Sequence, residues 1–289
     1  MNKTISLALT MVLSMSIFST SASTANAVNA PSAKVTAIKA ASGELKQDQF
    51  IFGYVDTSGK QILGSDDQSI PNPKRFSNVY SAPGKLEHVT FVKHQKRNEK
   101  KDTGRQTEQN FKNDEGELFK LNPNQAKLKA NSSVLFAETN AFVGHQFLSF
   151  NSVQKASLGR NTIQRIEKIK GLKIERQGII AQVSAGEQFA AIQFKKVGNK
   201  LPQASLVLVT KNGIIFQDFV GNTYADSTWR VNDGGVFDVA QFNLMFITNS
   251  KAGYSLGYEW YGEEGLNLEL LQQKGTKFRI IQSGGRYTF

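Results

Sequence analysis

Apolar residues along this chain recur at every second position in short runs, with polar turn residues between them. In QFIFGYVD (49–56), Phe50, Phe52 and Tyr54 fall on one side and the turn-like DTSG follows. Side chains alternate across a β-strand, so this period predicts strands there and at LEHVTFVKH (86–94), SVLFAE (133–138) and HQFLSF (145–150). From residue 178 the pattern becomes a meander: GIIAQVS, QFAAIQFKK, SLVLVT, GIIFQDF, NLMFIT, YSLGYEW, LNLELLQ and TKFRIIQ, ending at 282. The Asn212-Gly213 pair between two of these runs is the sharpest hairpin signal, because both residues tolerate positive φ. Short strands joined by tight polar turns predict a mostly-β domain, an antiparallel meander forming a propeller, sandwich or barrel.

Two segments break the pattern. Asn161 is placed to cap a short helix near 162–170, with Gln164 three residues later, Ile163, Ile166 and Ile169 on roughly one face, and Gly171 to end it. Residues 93–117 are polar, poor in apolar side chains and without periodicity, which predicts a mobile basic loop.

Lys3, the run Ile5–Phe18 and the small-residue stretch before Pro31 have the layout of a secretory signal peptide. Cleavage is expected after Ala27, since Pro31 disfavours a cut after Ala30. That leaves 28–289 as one domain. The chain has no cysteine, which excludes disulfides, a thiol nucleophile and a Cys-based zinc site together. No later run reaches the length of a membrane helix. A secreted or periplasmic protein of a bacterial envelope fits these features.

The formal charge is +11, unevenly placed. Residues 93–105 carry Lys93, Lys96, Arg97, Lys100, Lys101 and Arg105 against Glu99 and Asp102, and residues 155–176 are also basic. The stretch from Asp218 to Glu269 is acidic. Such a layout points to an anionic cell-envelope polymer as partner. The basic loop has no interleaved aromatics on which bases would stack, so sequence-specific nucleic acid is not expected. Neither phosphate-binding glycine motif occurs, and no cofactor is expected.

Gly253-Tyr254-Ser255-Leu256-Gly257 spells G-x-S-x-G, the pattern of a serine-hydrolase nucleophile elbow. The elbow needs an apolar strand, a sharp turn at the serine and a following helix. Here Tyr254, Leu256, Tyr258 and Trp260 share one parity, which predicts a half-buried strand with Ser255 on its opposite, smaller-residue face. His88, His94 and His145 all precede Ser255, against the Ser-acid-His order of that family. His88 and His94 would share a face of an unbroken strand, but two histidines do not make a metal site, and none is expected.

Both tryptophans lie among acidic residues of the last third. Trp229, Arg230, Asp233, Glu259 and Glu263 are the candidate ligand-binding residues, since aromatic faces beside carboxylates and an arginine suit a sugar or a cation. The terminal GGRYTF, with Tyr287 and Phe289 on one face, resembles the last strand of outer-membrane β-barrel proteins, which implies successive strands of about 9–11 residues. The function expected is a non-enzymatic binding or structural protein of the envelope or extracellular space, holding a polyanion or glycan, with no catalytic residue. The alternatives are an envelope glycan hydrolase using carboxylates among Asp226, Asp233, Glu259 and Glu263, and an outer-membrane barrel. Mass spectrometry of exported protein should find a mature chain beginning at Val28; one beginning at Met1 or Asn2 would remove the export expectation.

Overall fold

The computed structural model of the chain describes residues 42–64, 70–153, 156–221, 237–262 and 264–288. They belong to one compact unit, Ala40–Phe289. The expected signal segment and Asp226, Trp229, Arg230, Asp233 and Glu263 lie outside the described residues.

Six strands, β1 (Phe50–Val55), β2 (Gln61–Gly64), β3 (Phe76–Ser81), β4 (Lys85–Gln95), β5 (Gly116–Leu121) and β6 (Ser133–Glu138), close into a small antiparallel barrel in the order β1-β2-β5-β4-β3-β6. A second sheet contains β7 (Gln146–Leu148), β8 (Phe150–Ser152), β9 (Ile174–Val183), β10 (Gln188–Phe194), β11 (Gln203–Thr210), β12 (Gly213–Val220), β13 (Phe242–Ser250), β14 (Gly253–Tyr261), β15 (Gly265–Lys274) and β16 (Lys277–Tyr287). Its order is β7-β13-β14-β15-β16-β12-β11-β10-β9-β8. The two edge strands are neighbouring stretches of one segment, β7 pairing with β13 and β8 with β9. The sheet therefore curls into a large, nearly closed barrel. Of the three architectures the periodicity allowed, the barrel is adopted in both sheets.

The large barrel has one weak seam. β12 and β16 run parallel and share a single residue pair, Phe216 with Lys277. Beside it, Asp218 lies 2.5 Å from Lys170 and 3.6 Å from Lys277. Burial alone would raise the Asp218 carboxyl, but the hydrogen bonds from Lys170 and Ser205 outweigh it and hold the group low.

The strands carry more than one core. In β1, Ile51 and Val55 point into the small barrel, while Phe50 and Phe52 point outward onto the large one, so all six residues are buried. Between the barrels, Phe50, Phe52, Tyr80 and Leu135 meet Met245, Phe246, Leu268 and Leu270. Inside the large barrel, Phe189, Leu206, Leu208, Phe242, Leu256 and Tyr258 pack together. The outer face of β9–β12 is covered by α1 (Arg160–Lys170), whose Ile166 meets Ile179, Ile192 and Val207. Each such side chain contributes about 1.5–3 kcal/mol through burial.

Three local expectations change. The helix begins one residue before Asn161, after Gly159 and without a side-chain cap, though Gly171 ends it as expected with φ 64°. Ile169 is 58% exposed: steps of three residues drift by about 60° each on a helix, which turns Ile169 away from the face of Ile163. In the hairpin at 210–213, only Gly213 of the Asn-Gly pair takes positive φ, and the Thr210 hydroxyl accepts from the N–H groups of Asn212 and Gly213 instead. Strands β4, β9, β13, β14, β15 and β16 reach 9–11 residues, longer than their apolar runs. Ladder hydrogen bonds carry their polar ends.

A polar pair lies across the β14–β15 ladder of the large barrel. Tyr258, fully buried, donates to the Glu269 carboxylate directly across the β14–β15 ladder. Burial raises the Glu269 carboxyl above its ordinary range, partly opposed by the Tyr258 bond. The folded state therefore holds this proton more tightly than the unfolded chain, and its stability contribution is lost as pH rises from about 4.5 through the folded pKa. Glu269→Gln keeps the acceptor and removes the charge. Its Tm should match wild type near pH 4 and exceed it at pH 8; a difference independent of pH would exclude Glu269 as the source.

Candidate functional site

A cleft of about 510 Å³ lies where the barrels meet, built from the ends of strands. The large barrel supplies Asn243 from β13, Glu259 and Tyr261 from β14, and Arg286 from β16; the small barrel supplies Ser81 and Ser133, with Lys129 and Asn131 from the turn before β6. Strand ends can carry this chemistry because their bodies are already committed to cores. The lining is dense in hydroxyl and amide groups, with Lys129 and Tyr261 exposed at its edge.

Arg286 is 2% exposed. Its Nη1 donates to Asn131 O and Ser133 Oγ, both at 3.0 Å, and its Nη2 to Gln106 O and Asn131 Oδ1, both at 2.7 Å. The guanidinium also lies 4.9 Å from the centre of the Tyr54 ring, and Tyr54 donates to Asp114 at 2.8 Å. Burial lowers Arg286 to about 10, with the Glu259 charge opposing the shift, so it stays charged at neutral pH. Glu259 Oε1 accepts from Asn243 Nδ2 at 2.9 Å. Glu259 Oε2 and Arg286 Nε are buried without a hydrogen-bond partner.

Of the ligand-binding residues nominated from sequence, Glu259 lines this cleft; Trp229, Arg230, Asp233 and Glu263 lie outside the described residues. Trp260 points into the large barrel. Arg286, Lys129 and Tyr261 were missed. The available signal was Arg286 itself, a single arginine set on the opposite parity to Tyr287 in a terminal strand.

The basic loop leads into the same place. Lys93 lies in β4 and residues 116–117 in β5, leaving 96–115 between strands. Lys93, Lys96, Lys100 and Lys101 are exposed. Arg97, also exposed, is 3.4 Å from Asp102 and 3.8 Å from Glu115, and Arg105 lies over the Tyr287 ring at 4.5 Å. Buried Asn110 donates to Asp102 Oδ1 and Arg105 O and accepts from Thr103 N, which folds residues 102–110 around one amide. Buried Phe111 packs under the loop against Tyr54, Leu63 and Leu118. Sparse apolar content concealed these two anchors. Thr107, just beyond Arg105, lines the cleft.

The G-x-S-x-G stretch is strand, as its parity predicted. Tyr254, Leu256, Tyr258 and Trp260 face the large-barrel core. The other face is buried too: Ser255 is fully buried and accepts from Gln272 Nε2 at 3.3 Å. Both glycines have structural reasons. Gly253 takes φ 97° at a turn, and a Cβ on Gly257 would stand 2.5 Å from Phe246 Cε1 in the layer between the barrels.

The histidines are dispersed. A bulge in β4 between Phe91 and Lys93 moves His94 to the opposite face from His88, correcting the unbroken-strand reading. His88 meets Asn78 at 2.9 Å, while His94 lies against Glu115 and Glu117. His145 meets Thr248 Oγ1 at 2.9 Å, and burial lowers its pKa. Among the described residues, no group of three or more His, Asp and Glu is placed to hold a metal ion.

Fold and cleft define a mostly-β, two-barrel chain with a polar groove between its barrels. No family model matches the chain, and no curated protein and no solved structure matches it. Arg286→Lys keeps the charge but loses the planar fork, leaving acceptors from two loops without donors. Urea unfolding should show a loss of about 2–4 kcal/mol; an unchanged midpoint would mean that the guanidinium does not join the barrels.

Proposed function

We propose that the protein is an exported, non-enzymatic binding protein of the cell envelope or extracellular space, and that it holds an anionic glycan in the cleft between its barrels. The carrying observation is the lining itself: hydroxyls and amides in number, an exposed Tyr261 ring, and two buried polar atoms without a hydrogen-bond partner, Arg286 Nε and Glu259 Oε2. Sugar hydroxyls both donate and accept, which matches such a surface. Lys129 at the edge, and the loop bearing Lys96, Lys100 and Lys101 that runs into Thr107, favour a negatively charged sugar.

Two observations favour binding over the alternatives. The large-barrel interior is filled with apolar side chains, whereas a membrane-spanning barrel turns its polar side inward. Among the described residues, Glu259 is the carboxylate lining the cleft, and glycosidic acid–base chemistry uses two. No helix among the described residues is long and apolar enough to cross a membrane.

The test is titration with an oligogalacturonate and its carboxyl-reduced, neutral counterpart at several salt concentrations. Tyr261→Ala should weaken both by about tenfold, about 1.4 kcal/mol. Lys129→Ala should weaken only the charged form and flatten its salt dependence. Affinities unchanged in both variants would remove the cleft as the binding site. Release of reducing ends by wild type, abolished in Glu259→Gln, would replace binding with hydrolysis.

A further inference from the structure

A second cavity, about 590 Å³, lies at the opposite ends of the same large-barrel strands, among the turns joining β9 to β10, β11 to β12, β13 to β14 and β15 to β16. Its lining includes Glu187, Tyr254, Thr210, Gln273, Leu148 and Ile215. Glu187 immediately precedes β10 and shares the parity of Phe189 and Ala191, which point into the barrel. Its carboxylate therefore stands in the barrel mouth rather than in water, and the residue is only 4% exposed.

That carboxylate is half used. Oε1 accepts from the Tyr254 hydroxyl at 2.8 Å, while Oε2 is buried with no hydrogen-bond partner. Burial and the bond to Glu187 push Tyr254 up to about 12, so at neutral pH the phenol keeps its proton and acts as donor. Two of the neighbouring polar side chains are occupied: Gln273 Oε1 accepts from Tyr254 N, and the Thr210 hydroxyl holds its own turn. Lys211 also lines the cavity, exposed on the β11–β12 turn, but among the described residues no lysine or arginine forms an ion pair with Glu187. A buried carboxylate oxygen without a donor is unfavourable unless something fills it. The turn needs Gly186, which takes φ 97°, but nothing in its geometry needs an acid beside it.

We propose that this mouth is a binding site for a small organic cation, a primary alkylammonium group. Its N–H donors would satisfy Glu187 Oε2, its charge would lie near the Tyr254 ring, and its methylenes would rest on Leu148 and Ile215. The site is separate from the cleft and does not depend on the glycan reading.

The probe is n-butylammonium, compared with 1-butanol, which lacks the charge, and tetramethylammonium, which lacks the N–H donors. Calorimetry on the full chain at pH 7 should give millimolar or tighter binding of butylammonium, with both comparators at least tenfold weaker. In ¹⁵N spectra of wild type, the shifts should centre on residues 184–188 and 253–254. Glu187→Gln, which keeps shape and removes charge, should lose at least tenfold in affinity with its circular dichroism unchanged. If that variant does not fold, the wild-type comparator series and shift map decide alone. Binding of butanol equal to that of butylammonium, shifts centred elsewhere, no binding at millimolar concentration, or full affinity in a folded Glu187→Gln would each overturn the proposal.

Discussion

A buried guanidinium joins the two barrels. Arg286 comes from the last strand of the large barrel, and its acceptors come from the Gln106 loop and the Asn131–Ser133 turn of the small one. Removing a charge from water is unfavourable by several kcal/mol, and the arrangement offsets this with four hydrogen bonds, the Tyr54 face and the field of Glu259. Lysine has no planar fork with which to reach two loops at once. The cleft follows from the same geometry. Holding the strand ends together at one polar joint leaves a groove beside it, lined by the residues that the joint does not consume.

The joint acts together with an apolar layer along the barrel walls. Phe246 is in contact with Tyr80, Phe142 and Phe147 in that layer, and Gly257 is the opening in β14 that admits its ring. A methyl group there would force the ring outward, and overpacking of this kind typically costs about 1–3 kcal/mol. Where the barrels touch, their outer walls are thus cores in their own right, so β1 and the middle of β14 have no water-facing side. This is also why the small face of the G-x-S-x-G strand is small: bulk there would separate the barrels.

Strand periodicity made the fold class legible. Period two survives even when both faces are buried, because large and small residues still alternate, as in β14. What could not be read was which sheet each strand joins. Pairing partners such as β12 and β16 are distant in sequence and meet at one residue pair, and no local pattern encodes that. The helix was legible through Ile166 and Gly171 but not through its cap, since a glycine N-cap leaves no side-chain signature. The basic loop hid its order because one amide and one phenyl ring anchor it, too few to register as composition. Glu259 was found for its place near Trp260, yet it reaches the cleft because it has the opposite parity to the tryptophan.

The placement of polar groups follows from this division of labour. Along the strand bodies, apolar contacts occupy the interior, the wall between the barrels and the face beneath α1, so a buried charge there needs a dedicated partner, as Glu269 has in Tyr258. At the strand ends, ladders stop and backbone direction changes, so side chains can converge from several strands without breaking a core. Glu259 and Glu187 stand at opposite ends of the large barrel. Each has one carboxylate oxygen satisfied by a neighbour and the other without a partner. The satisfied oxygen fixes the carboxylate in place, and a fixed, underused acceptor binds a donor at lower entropic cost than a mobile one. The rigid barrel supplies the first condition at both ends, and the immediate partner of each carboxylate separates them: the Asn243 amide at Glu259, the Tyr254 phenol at Glu187.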